Sequence, residues 1–91
     1  MNQDKFQLFK QAYRIGLEEA VKKYPSEYGL EDKSTEQQVQ YAEIVTNKMM
    51  KYIGEGKHKE VNYDSRGFKN ACKSLGIKFS RKNIFLFLEV E

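Results

Sequence analysis

The residues of this chain that could do chemistry are few and scattered. Among 91 residues there is one histidine, His58, and one cysteine, Cys72. Nucleophilic catalysis needs a nucleophile, a base and a group that orients the base, and nothing in the sequence supplies partners for His58. A metal site is equally short of ligands, because Cys72 and His58 are too few for a tetrahedral set. Cys72 also shares an apolar helical face with Phe68 and Leu75, where a free cysteine behaves as a small hydrophobe. Asp4, Glu18, Glu19, Glu27, Glu31 and Asp32 show no spacing that singles out a pair for acid–base work. Gly54, Gly56 and Lys57 resemble a phosphate-cradling loop only superficially: the spacing between the glycines is wrong and no hydroxyl residue follows the lysine. The sequence therefore reads as a non-enzyme with no cofactor and no metal.

Charge gives a more informative pattern. The net charge is +3, but residues 1–45 carry six Lys/Arg against eight Asp/Glu, a balance of −2, whereas residues 46–91 carry ten against five, a balance of +5. A basic C-terminal half favours an anionic partner through its summed field and through counterion release. Arg66, Lys69, Lys73, Lys78, Arg81 and Lys82 make up the basic set, and Phe85 and Phe87 are candidate apolar anchors beside it.

The elements that must position these residues can be read from periodicity. Phe6, Phe9, Tyr13, Leu17, Ala20 and Tyr24 step by three or four, which predicts a helix from about Lys5 to Lys23, opened by Asp4 with Gln7 and stopped by Pro25. PSEYGLEDKS is a polar connection with room for one helical turn at Ser26–Tyr28, and Tyr28 or Leu30 is expected to pin it to the core. Ser34 with Gln37 forms a capping-box pattern for a second helix reaching Tyr52 or Ile53, with Val39, Ala42, Val45, Met49 and Ile53 as its stripe. Gly54 is the expected terminator, and of Met49 and Met50 one is expected in the core and the other as an exposed stem. GEGKHKEVNYDS reads as a basic loop.

The stretch from Asp64 to Glu91 reads as two short helices. Phe68, Ala71, Cys72 and Leu75 share a face, Gly76 supplies a left-handed end, and Ile77 folds back on the last turn. Ser80 then restarts the chain as an N-cap, with Phe79 and Ile84 as a hydrophobic staple. IFLFLEV is ambiguous between helix and buried strand. Helix is preferred because a lone strand would leave backbone groups unpaired. The alternative is an exchanged strand that makes a homodimer through the C-terminal segment. Gly76 at a helix end and Arg81 and Lys82 at the start of the next helix also fit a helix-turn-helix, although a five-residue turn is long and IFLFLEV offers few polar side chains to read bases. Six Phe and six Tyr are enough for a real core, and the length suits one domain over residues 1–91. The N-terminus lacks the basic start and apolar run of a secretory signal, no segment reaches membrane-span length, and the lone cysteine suits a reducing compartment, so a cytoplasmic protein is expected.

Asp64-Ser65-Arg66, then Ala71-Cys72-Lys73-Ser74-Leu75-Gly76-Ile77-Lys78, then Ser80, Lys82, Ile84 and Leu88, resemble the C-terminal signature of small accessory proteins encoded by tailed bacteriophages. The order upstream is also similar, with Phe9 and Tyr13 in an opening helix, Pro25-Ser26-Glu27-Tyr28 after it, and Lys48-Met49 before a glycine-containing link. The resemblance implies an all-helical phage accessory protein and carries no catalytic residue with it. Together these readings predict an all-α fold, a compact four-helix domain with a C-terminal helical hairpin. Its expected function is stoichiometric binding of a host macromolecule, as an inhibitor or modulator of a defence or transcription component. The alternative is a nucleic-acid-binding module using the same basic set on phosphates.

Overall fold

The computed structural model describes residues 2–57 and 64–89, and the expectations that fall on His58, Lys59, Asn62 and Val90 lie outside them. Asn2 opens the first helix: its backbone is extended and its side-chain oxygen accepts the Lys5 N–H at 3.0 Å. Helix α1 accordingly runs Gln3–Lys23, ahead of the expected Asp4 start. A tertiary contact explains the earlier start, because the Asn2 N–H donates to the Leu88 carbonyl at 2.9 Å and so fixes the chain where it enters the helix. Pro25 ends α1, as expected, and begins a 3-10 turn at Pro25–Tyr28. Tyr28 and Leu30 both pack against the core, and the Tyr28 ring meets Tyr41 edge-on at 6.0 Å.

Helix α2, Thr35–Gly54, starts with the expected capping box: Ser34 Oγ accepts from the Gln37 N–H at 3.2 Å, and Gln37 Oε1 accepts from the Ser34 N–H at 3.0 Å. Its end differs from expectation. Gly54 is still helical, and Gly56, with φ of 76°, is the left-handed residue. The Gly56 N–H donates to the Ile53 carbonyl at 3.0 Å and the Lys57 N–H to the Tyr52 carbonyl at 2.9 Å, so the terminal carbonyls are satisfied by a left-handed residue two positions further on. Met49 and Met50 are both buried, correcting the expectation that one would be exposed. Adjacent side chains on a helix lie about 100° apart, and α2 uses that angle to bury two neighbouring columns, one through Met49 and one through Met50.

Helix α3, Ser65–Leu75, is capped by the Asp64 carboxylate, which accepts the Gly67 N–H at 2.8 Å. Gly76 ends it with φ of 70°, and the Ile77 N–H returns to the Cys72 carbonyl at 2.9 Å. Helix α4, Arg81–Glu89, begins at Ser80, whose Oγ accepts from the Asn83 N–H at 3.0 Å. The described part of IFLFLEV is thus helical, and its backbone groups are satisfied along the helix rather than by a second strand.

The protein is an all-α four-helix domain with a radius of gyration of 13.0 Å. Helix α1 organises it: α2, α3 and α4 all pack on α1, and α3 lies against it most extensively. Phe9, Tyr13, Leu17 and Val21 of α1 are fully buried at i, i+4 spacing, and Phe68 of α3 completes an aromatic cluster at 5.6 Å from Phe9 and 5.1 Å from Tyr13, measured between ring centroids. Ile84 and Leu88 bring α4 into the same core. Among the described residues no helix is long and apolar enough to cross a membrane.

Among the described residues, Thr46 is the one polar side chain inside this core. It is 0% exposed, and its hydroxyl has no hydrogen-bond partner among them. A buried hydroxyl without a partner loses its water and gains nothing in return, a cost of about 1–3 kcal/mol. Thr46→Val keeps the branched shape and removes that cost. The variant is expected to be more stable by about 1 kcal/mol, seen as a thermal midpoint raised by roughly 4–8 °C. A lowered midpoint would mean that the hydroxyl is satisfied in solution.

Candidate partner-binding surface

The C-terminal end of α1 and the first half of α3 meet around Tyr24. Tyr24 is held at the helix end by its N–H, which donates to the Ala20 carbonyl at 2.9 Å, and the residue stays 37% exposed. The Arg66 guanidinium lies over that ring at 4.1 Å from its centroid, and the Lys23 ammonium lies 5.5 Å from it. Each is close enough for a cation–π attraction. Arg66 also forms an ion pair with Glu27 from the 3-10 turn. Both groups are substantially exposed, so the pair ties the turn to α3 geometrically and contributes little to stability.

Beside them a shallow concavity of about 340 Å³ is lined by Glu19, Lys23, Tyr24, Arg66, Lys69 and Asn70. Its floor is fixed by Asn70, whose side-chain N–H₂ donates to the Gly16 carbonyl at 3.1 Å. Lys69 and Lys73 project from α3 into solvent on the same side as Arg66, since positions i, i+3 and i+7 of a helix share a face. The sequence-derived basic set is therefore divided by the fold. Arg66, Lys69 and Lys73 form one stripe along α3, whereas Lys78, Arg81 and Lys82 follow from the turn into the first turn of α4.

The two expected apolar anchors are placed differently from the basic residues. Phe85 and Phe87 are half-buried and pack against the core, and the Lys5 ammonium covers the Phe87 ring at 5.1 Å. Leu86, 53% exposed, and Phe79, 46% exposed, are the apolar side chains this end of the protein presents to solvent. Helix geometry accounts for the exchange: with Ile84 and Leu88 turned inward, Phe85 and Phe87 flank them and Leu86 points away.

Sequence reasoning missed Lys23, Tyr24 and Glu27. The signal was the Lys-Lys-Tyr-Pro run that ends α1, which sets two cations and an aromatic at a helix C-terminus. Its use in this surface depends on a contact between residues 27 and 66 that no local pattern encodes.

The remaining titratable groups of note are structural. Burial pushes the Cys72 thiol above its ordinary value, which keeps it protonated and unreactive on the inner face of α3. Burial, and then the Asp64 carboxylate, push the Tyr28 phenol well above its usual range. Among the described residues no group of three or more His, Cys, Asp or Glu is placed to hold a metal ion. The chain matches no protein-family model, no curated protein and no solved structure.

Proposed function

We propose that the protein works by stoichiometric binding, holding an acidic surface of a macromolecular partner on the stripe Arg66, Lys69 and Lys73 and on the neighbouring Lys23. The observation that carries this reading is the gathering of Lys23, Arg66 and Lys69 around one exposed tyrosine in a single concavity. An exposed aromatic ring flanked by arginine is the type of residue pair that dominates protein interfaces.

A protein partner fits better than a nucleic acid because carboxylates are interleaved with the cations. Glu19 lines the same concavity and Glu27 is paired with Arg66, so a continuous track of phosphates would meet repulsion beside each attraction. The Arg66 guanidinium already lies over the Tyr24 ring, so a base stacking there would compete with it for that face. The likeness of the Ala71–Lys78 stretch to phage accessory proteins extends the reading: the partner is a host macromolecule, and the protein inhibits or modulates a defence or transcription component.

The test is affinity capture from a bacterial lysate after nuclease treatment, using the native chain and a Lys23→Glu/Lys69→Glu/Lys73→Glu variant as parallel baits. All three side chains are exposed, so the variant should fold. The expected result is a protein retained by the native bait and reduced by about tenfold or more on the variant, with retention falling as salt is added. Equal retention on both baits would remove the proposed surface. Saturable binding to random duplex DNA, falling steeply with salt and absent from the variant, would replace the protein partner with a nucleic acid.

A further inference from the structure

A second concavity lies on another part of the surface and shares no residue with the first. It is a groove of about 550 Å³ between the N-terminal half of α1 and the C-terminal half of α2. Phe6, Met50 and Gly54 contribute its apolar floor, and Lys10, Asn47 and Lys51 stand on its rim. Its volume lies within the roughly 300–1,000 Å³ typical of small-molecule sites.

Two features of the groove point to one kind of occupant. Among the described residues, Lys10 and Lys51 are the only charged groups that line it, and neither is ion-paired there. The groove therefore offers two ammonium groups and two amides, those of Gln3 and Asn47, above an apolar floor, with no carboxylate among the described residues that line it. Gly54 is the second feature. Its backbone is helical, with no positive φ that would require glycine, and leaving out a side chain there keeps the groove open beside Phe6. A Cβ at this position would sit 3.8 Å from Phe6 Cζ, an ordinary contact, so a methyl group could be carried without strain, and a longer side chain would extend into the groove that Gly54 lines.

We infer that this groove binds a small amphipathic anion, a carboxylate or phosphate carried on an apolar chain or ring, with Lys10 and Lys51 on the charged group and Phe6 and Met50 under the apolar part. The apolar contact supplies burial and the two lysines supply orientation, the division usual in small-molecule sites. This site is independent of the macromolecular surface on α3.

Octanoate, acetate and 1-octanol are the probes, each titrated into the full chain while the Met50 methyl resonance is followed by NMR. Octanoate is expected to shift that resonance saturably. Acetate, which lacks the apolar part, and octanol, which lacks the charge, are each expected to bind at least about tenfold more weakly. Lys10→Gln/Lys51→Gln should weaken octanoate by a similar factor. Gly54→Leu should abolish the shift while leaving the thermal midpoint unchanged or raised, since leucine is the better helix former. Failure of octanoate to saturate overturns the inference. So does equal binding of octanol, or a Gly54→Leu variant that still binds. A Met50 shift that depends on protein concentration alone would instead assign the groove to contact between copies of the chain, and would also overturn it.

Discussion

Phe68→Ala is expected to destabilise the protein by about 3–5 kcal/mol. Phe68 is 2% exposed and packs against the Phe9 and Tyr13 rings of α1, so its removal leaves a cavity between the two helices whose contact is the most extensive in the fold. The cavity has little means of collapsing. Phe9 and Tyr13 belong to one long helix and are fully buried, and on the far side Ala71 and Cys72 are small. A domain of this length has a total stability of about 5–14 kcal/mol, so the loss is a large fraction of the whole. Urea unfolding should show a sharply lowered midpoint with a similar slope. A loss under about 1 kcal/mol would mean that α3 is not held to α1 through this ring cluster.

Sequence and structure agree where structure is local. The stripe through Phe9, Tyr13 and Leu17, the Ser34–Gln37 capping box, the left-handed Gly76 and the Ser80 cap are each set by side chains within a few residues of one another, and each was legible. The discrepancies share a different cause. Asn2 displaces Asp4 as the start of α1 because the distant Leu88 carbonyl takes its N–H. Gly56 displaces Gly54 as the left-handed residue beyond α2, since both are glycines and only the backbone path decides which takes positive φ. Met49 and Met50 are buried together because α2 is covered over a wider arc than a single stripe.

The candidate surface divides along the same line. Arg66, Lys69 and Lys73 could be placed on one face from spacing alone. That Arg66 sits over Tyr24 and pairs with Glu27 follows from the docking of α3 on α1, as does the inclusion of Lys23. Exposure of Leu86 and partial burial of Phe85 and Phe87 were hidden for a related reason: in a run as apolar as IFLFL, composition does not say which side faces inward. Only Ile84 and Leu88, once seated on α1, fix the rotation of the helix.

Gly16→Ala tests the docking of α3 directly, and its sign depends on space rather than on helix propensity. An added methyl group at residue 16 would lie 2.8 Å from Asn70 Cβ and 3.1 Å from the Gly67 carbonyl oxygen. Both neighbours are close to the backbone of α3 and cannot swing aside, so the helices must separate. Separation strains the packing by about 1–3 kcal/mol and lengthens the Asn70 bond to the Gly16 carbonyl, itself worth about 0.5–1.5 kcal/mol. Against this, alanine gains about 1 kcal/mol of helix propensity over glycine. The expected balance is a net loss of about 1–3 kcal/mol, or a thermal midpoint lowered by roughly 4–8 °C for each of those kcal/mol. Gly54→Ala is the matched control. It makes the same chemical change in a helix, but its methyl meets only Phe6 Cζ at 3.8 Å, so that variant should be neutral or stabilised. If the two alanine variants moved the midpoint in the same direction, propensity or the unfolded state would govern both, and the close approach of α1 and α3 at Gly16 would not be what joins them.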